Sequence, residues 1–109
     1  MLFEVRTGRV RDNVRFDGGL TLYVDAESGV LVRGIADAQN AIHRITEIST
    51  EKEARAAALN FAAAIFGRKQ AESLMEFYHD DAACVLNVCG QYFTQRLGKM
   101  ITKAQKKQK

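Results

Sequence analysis

Chemistry in this 109-residue chain would have to come from two histidines, two cysteines and a few acidic clusters, and none of these stands at a productive spacing. His43 follows the apolar Ile42 on the polar flank of a predicted helix, and no second His or Cys lies at metal-ligand spacing. His79-Asp80-Asp81 has the composition of a metal site, but helix-capping acids explain the trio more economically. Glu72 and Glu76 stand four apart on one helix face, the geometry for a shared proton or a hard cation. No further acid converges on them, so a solvated face is expected. Cys84 and Cys89 are five apart, about 140° around a helix, which suits neither a disulfide nor CxxC chemistry. Gly18-Gly19 has no phosphate-loop context and Ser28-Gly29 lacks the nucleophile-elbow pattern. The expectations are no enzyme, no catalytic residue, no cofactor, no metal and two reduced, buried cysteines.

Charge is the stronger signal. The net charge is only +3, yet the first 81 residues hold 10 basic and 13 acidic side chains, and the remainder has six basic and none acidic. Arg6, Arg9, Arg11 and Arg15 crowd one end of the chain; Lys99, Lys103, Lys106 and Lys107 crowd the other. Brought together, they would form a basic surface able to hold phosphates with strong salt dependence. No stacking aromatics interleave with the lysines and no RNA-recognition motif is present, so nucleic-acid binding is the secondary expectation.

The elements that must position these residues read as an α-dominated α+β domain, an N-terminal two-stranded hairpin followed by about four helices. Leu2, Phe3 and Val5 suggest a first strand, Arg6 to Phe16 a polar connection, Asp17-Gly18-Gly19 a turn, and Leu20 to Val24 a second strand, giving a hairpin over 1–24. Asp25 is a plausible N-cap for a helix over 27–48, whose seam is Leu31, Ile35, Ala38, Ile42 and Ile45. Ser49 or Thr50 caps an Ala-rich helix over 50–66 that Gly67 closes. A short amphipathic helix follows over 69–78, and a last helix over 81–101 carries one stripe from Val85 to Ile101. With little left to bury, 102–109 is expected to fray as a basic tail, leaving one domain over 1–101. The apolar segments are too short to span a bilayer and no secretory signal is seen, so a cytoplasmic location without membrane association is expected.

The order LTLYVDA, a long helix, AAIFG, AESLMEFYHDD and ACVLNVCGQYFTQRL resembles the small tail assembly chaperones of siphophages and prophages. It covers roughly Leu20 to Ile101, on Phe66-Gly67, Ala71, Leu74, Phe77-Tyr78 and the acidic pair that follows. These are structural positions and carry no catalytic residue across. The resemblance implies a non-enzymatic protein of the bacterial host cytoplasm that binds and solubilises the long helical tape-measure protein during tail assembly, with or without self-association. It also implies a longer frameshifted product, with Lys106-Lys107 near the place where a slippery run would be encoded. A sequence pI near 9.0 departs from the neutral or acidic balance of that family. The apolar faces expected to meet a partner are Phe61, Ile65 and Phe66, and Leu74, Phe77 and Tyr78. The alternative is a small basic nucleic-acid-binding protein using the arginines and lysines named above.

Overall fold

The computed structural model describes residues 8–43 and 50–106, with side chains through 104. A two-stranded antiparallel hairpin, β1 (Arg9–Arg15) and β2 (Thr21–Glu27), precedes the helices α1 (Ser28–His43), α2 (Glu51–Phe66), α3 (Arg68–Phe77) and α4 (Ala82–Tyr92). A π-helical turn, Phe93–Leu97, then leads without a break into α5 (Gly98–Lys106). The domain is α+β and helix-dominated, as the sequence pattern implies.

The hairpin begins later than the residue types suggest. Its first strand is the arginine-rich stretch that reads as a polar connection, and the expected strand at Leu2–Val5 lies outside the described residues. Alternation explains the difference: Val10 and Val14 turn into the core while Arg9, Arg11, Asn13 and Arg15 face solvent. The register pairs Val10 with Ala26, Asp12 with Val24 and Val14 with Leu22. The Phe16 amide donates to the Leu20 carbonyl at 2.7 Å across the turn, where Gly18 and Gly19 both take φ near +101°.

Asp25 is no helix cap. It stands in β2 directly across from Arg11, and its carboxylate accepts from both Arg9 and Arg11. Those bonds hold the Asp25 carboxyl below the ordinary carboxylate range, Arg9 contributing most, although partial desolvation opposes them. The chain enters α1 through Ser28, whose amide donates to the Gly8 carbonyl at 2.7 Å. Leu31, Ile35 and Ala38 of the expected seam are buried and Ile42 is half-buried. Ile45, the segment to Ile48 and the Ser49 cap lie outside the described residues.

Thr50 caps α2, its hydroxyl accepting from the Glu53 amide at 3.2 Å. Gly67 ends α2 and begins α3 at φ +88°, its amide donating to Ala63 and its carbonyl accepting from Ala71. α3 stops because His79 and Asp80 both adopt left-handed backbone, and the Asp80 amide returns to the Met75 carbonyl at 2.8 Å. Asp81 then caps α4, accepting from the Cys84 amide at 3.1 Å. α2 sits at the centre, packed on α1, α3, α4 and β2. Phe16, Phe66 and Tyr92 form its aromatic floor, with successive ring centroids 5.9 Å apart.

The last helix changes phase midway. Its buried positions are Val85, Cys89, Tyr92, Leu97, Ile101 and Ala104, spaced 4-3-5-4-3. The interval of five coincides with the π turn, in which the Gly98 amide bonds to the Phe93 carbonyl five residues back. The expected single stripe is therefore two stripes, α4 facing α2 and α5 facing α1 and β1. Nor does fraying begin at Thr102: the helix runs to Lys106 because Ala104 is buried where α5 meets Gly8. A Cβ on Gly8 would come within 2.7 Å of the Ala104 carbonyl carbon, so only glycine permits this approach.

Candidate functional site

Polar chemistry within the core is concentrated at Asp12. This β1 carboxylate, whose side chain is only 7% exposed, accepts from the Tyr92 hydroxyl at 2.7 Å. It also accepts from Arg96 Nε at 2.7 Å and from a terminal Arg96 nitrogen at 2.8 Å. Burial alone would raise the Asp12 carboxyl, but the bonds from Arg96 and Tyr92 and the guanidinium charge outweigh it and hold the group low. Burial, then the bond to Asp12, pushes the Tyr92 phenol well up. Three donors from the last helix thus meet the carboxylate, which makes the group a clamp between hairpin and last helix.

A second tie works by mimicry of a peptide group. The Gln70 amide on α3 accepts from the Tyr23 backbone N–H and donates to the Tyr23 carbonyl, both at 2.8 Å. It also donates to the Phe66 carbonyl. Gln70 thereby covers the free edge of β2.

The other candidate groups are dispersed. His43 is exposed at the end of α1, and His79 is exposed in the α3–α4 turn. Glu72 pairs with Arg68 at 3.2 Å on an exposed face, and Glu76 is exposed. Cys89 is fully buried, its thiol pushed up to about 12 by desolvation, whereas Cys84 is half-buried, less than the sequence suggests. Among the described residues no three His, Cys, Asp or Glu side chains converge as a metal site. No helix of the described residues is long and apolar enough to cross a membrane.

The apolar faces expected to meet a partner are largely interior. Phe61, Ile65, Phe66 and Leu74 are buried in the main core. Exposing these four would cost about 1.5–3 kcal/mol each, a sum comparable with the whole stability of about 5–15 kcal/mol typical of a domain. They therefore serve packing in this fold. Phe77 and Tyr78 are half-buried, their rings edge to face at 5.0 Å, with Phe77 lying over Gly18 and Tyr78 against Phe16.

Of the basic candidates, Arg9, Arg11 and Lys103 line one cleft of about 390 Å³ where β1 meets α5. The fold thus joins part of the two basic clusters. Arg9 and Arg11 both share Asp25, however, which leaves Lys103 as the cleft's unneutralised cation among the described residues. Arg15 and Lys99 are exposed outside that cleft. Arg6, Lys107 and the side chain of Lys106 lie outside the described residues.

A surface with no counterpart in the sequence stripes lies beside the π turn. A groove between α1 and α5 is lined there by Val32, Ile35, Ala36, Phe93, Gly98 and Ile101, with the polar Gln39 on its α1 side and Thr102 on its α5 side. It continues past Phe93, Gly98 and Thr102 into an open depression of about 550 Å³ bordered by Lys99 and Lys103. Gly98 contributes no side chain, and Val32 is the most exposed large apolar residue of the floor. The sequence hides this irregularity, because Phe93 keeps the ordinary helical spacing to Leu97 and the interval of five shows only in the burial pattern. Comparison of the chain with protein-family models, with curated proteins and with solved structures finds no match.

Proposed function

We propose that the chain is a non-enzymatic assembly chaperone of the phage-tail type, acting in the bacterial cytoplasm by holding a helical segment of a tape-measure protein until tube subunits enclose it. The supporting observation is the groove between α1 and the π turn, open, apolar along its floor and cationic along one border. An apolar helix face laid into a groove is a recurring mode of segment recognition, and an open surface of this kind is compatible with it. The sequence resemblance supplies the kind of partner. Self-association is compatible with this reading and is not required by it.

The direct test is co-expression with the tape-measure protein encoded nearest to the gene. The expected outcome is a soluble complex that survives size-exclusion chromatography, with the long partner insoluble when expressed alone. A partner that stays insoluble with and without this chain refutes the proposal. A second reading, a small basic nucleic-acid-binding protein, draws on the cleft shared by Arg9, Arg11 and Lys103. It requires gel-shift binding that collapses between low and physiological salt.

A further inference from the structure

We infer that the α1–α5 groove is specific for an amphipathic helix of a partner protein whose polar flank is acidic. This rests on the chaperone reading and adds the chemistry by which the segment is chosen.

Charge selects the occupant. Lys99 and Lys103 stand one turn apart on the border of the groove, both exposed, and no ion pair to either is formed among the described residues. The chain from Ala82 onward contains no acidic residue to neutralise them. On α1, the acidic Asp37 lies about 150° around the helix from the groove-facing residues, so it points away from the occupant's flank. A lysine-flanked occupant would meet like charge; a glutamate-flanked one would meet two unpaired ammonium groups.

The dimensions of the surface suit a short helix. Phe93 to Lys103 spans about 15 Å of helix, enough to seat an occupant of roughly three turns. The π turn and Gly98 remove side-chain bulk from the middle of the floor. A Cβ at Gly98 would lie 3.1 Å from the Phe93 carbonyl oxygen, so the bare backbone at this point is tied to the turn itself. Phe93 and Val32 then offer the apolar area.

The described chain does not supply its own occupant. A second copy of this chain would have to offer a helix with exposed apolar residues beside acids. Among the described residues the helices that carry acids, α2 and α3, bury Phe61, Ile65, Phe66, Leu74 and Met75 and half-bury Leu59 and Phe77, and the exposed large apolar residues are Tyr23, Val30 and Val32. No such helix is available on the described chain, which points to a different protein.

The test uses the full chain and two fluorescein-labelled 14-residue helical peptides with identical leucine faces, one carrying glutamates and the other lysines on the polar flank. Anisotropy titration at low salt is expected to show the glutamate peptide binding at least roughly tenfold more tightly than the lysine peptide. That preference should vanish in the K99E/K103E variant, whose exposed substitutions leave the core untouched. Amide shifts of 15N-labelled protein should move at Val32, Phe93, Gly98 and Thr102. The inference is overturned by equal binding of the two peptides, by a preference that survives the double reversal, or by shifts centred elsewhere. Displacement of the peptide by a single-stranded oligonucleotide at physiological salt, or a dimer that occludes the groove, also overturns it. Failure here with a soluble tape-measure complex retained by K99E/K103E would remove the groove and leave the chaperone reading standing; loss of that complex from the unmodified chain would remove the reading itself.

Discussion

Replacing Asp12 should destabilise the domain out of proportion to the surface charge lost, because the residue it strands is Tyr92. In D12A, Arg96 can turn into solvent, since its side chain is 63% exposed, and its ion pair is accordingly discounted. The Tyr92 hydroxyl has no such exit, because the residue is 9% exposed and stacked on Phe66. Leaving a buried donor unsatisfied costs about 1–3 kcal/mol, and the lost charge-assisted bonds add to it, so D12A should cost about 2–3 kcal/mol. At roughly 4 °C per kcal/mol for a domain of this size, the Tm should fall by about 8–12 °C. Y92F, which removes the stranded group, should cost only about 1 kcal/mol, and D12A in the Y92F background should cost markedly less than in the parent. Urea unfolding followed by circular dichroism measures all four corners of the cycle. The acid limb gives an independent check. Asp12 titrates below its unfolded value when folded, so its stabilisation is present above the unfolded carboxylate pKa and is lost as pH falls through the folded one. The parent should therefore lose stability below about pH 4 more steeply than D12N. Equal D12A costs in the two backgrounds, or a D12A effect under about 0.5 kcal/mol, would refute the clamp as an energetic unit.

Other positions yield separate expectations. G8A should destabilise by more than about 2 kcal/mol, because the added carbon meets Ala104 backbone, which has no flexible end to move; a Tm within a degree or two of the parent would contradict the packing of α5 on the hairpin. D80G should raise stability by up to about 1 kcal/mol, since glycine relieves the left-handed backbone at φ +60° without losing a side-chain cap. A decrease in chemical-denaturation midpoint would count against that. At pH 8, a thiol reagent should modify Cys84 in the native protein and Cys89 only upon unfolding, because Cys89 is buried with its thiol pushed up to about 12. Simultaneous labelling of both thiols, quantified by mass spectrometry, would show the core to be open.

The helical frame was readable because its signals are local. Thr50 and Asp81 are capping residues by type, Gly67 is the residue suited to the positive φ at which α2 ends, and the Ala-rich run buries one face through Phe61, Ile65 and Phe66. The first strand was hidden by its charges. Arg9, Arg11 and Arg15 dominate its composition, and the inward Asp12 breaks the alternation that Val10 and Val14 begin. That acid is explained only by Tyr92 and Arg96, some eighty residues later, a distance over which no local pattern carries information. The same holds for Asp25, a good cap by type that is claimed instead by two arginines across a strand pair. Four of the residues expected to meet a partner lie in the interior for the converse reason. Periodicity locates an apolar stripe but does not say whether solvent or another helix lies opposite, and for Phe61, Ile65, Phe66 and Leu74 it is the core. The groove was not legible because it depends on an absence, the missing side chain of Gly98, and on a shift of one residue in the burial interval.

That single-residue shift also fixes how the last helix can respond to load. Converting the π turn to ordinary α geometry would rotate everything beyond it by about 100°. Leu97, Ile101 and Ala104 would leave the interior together, and Arg96 would swing off Asp12. A close-packed interior resists such a movement as a whole, leaving no half-turned intermediate. The turn therefore acts as a keyed joint, not a hinge: it holds the two helical segments at one angle and, through Arg96 and Asp12, ties that angle to the hairpin.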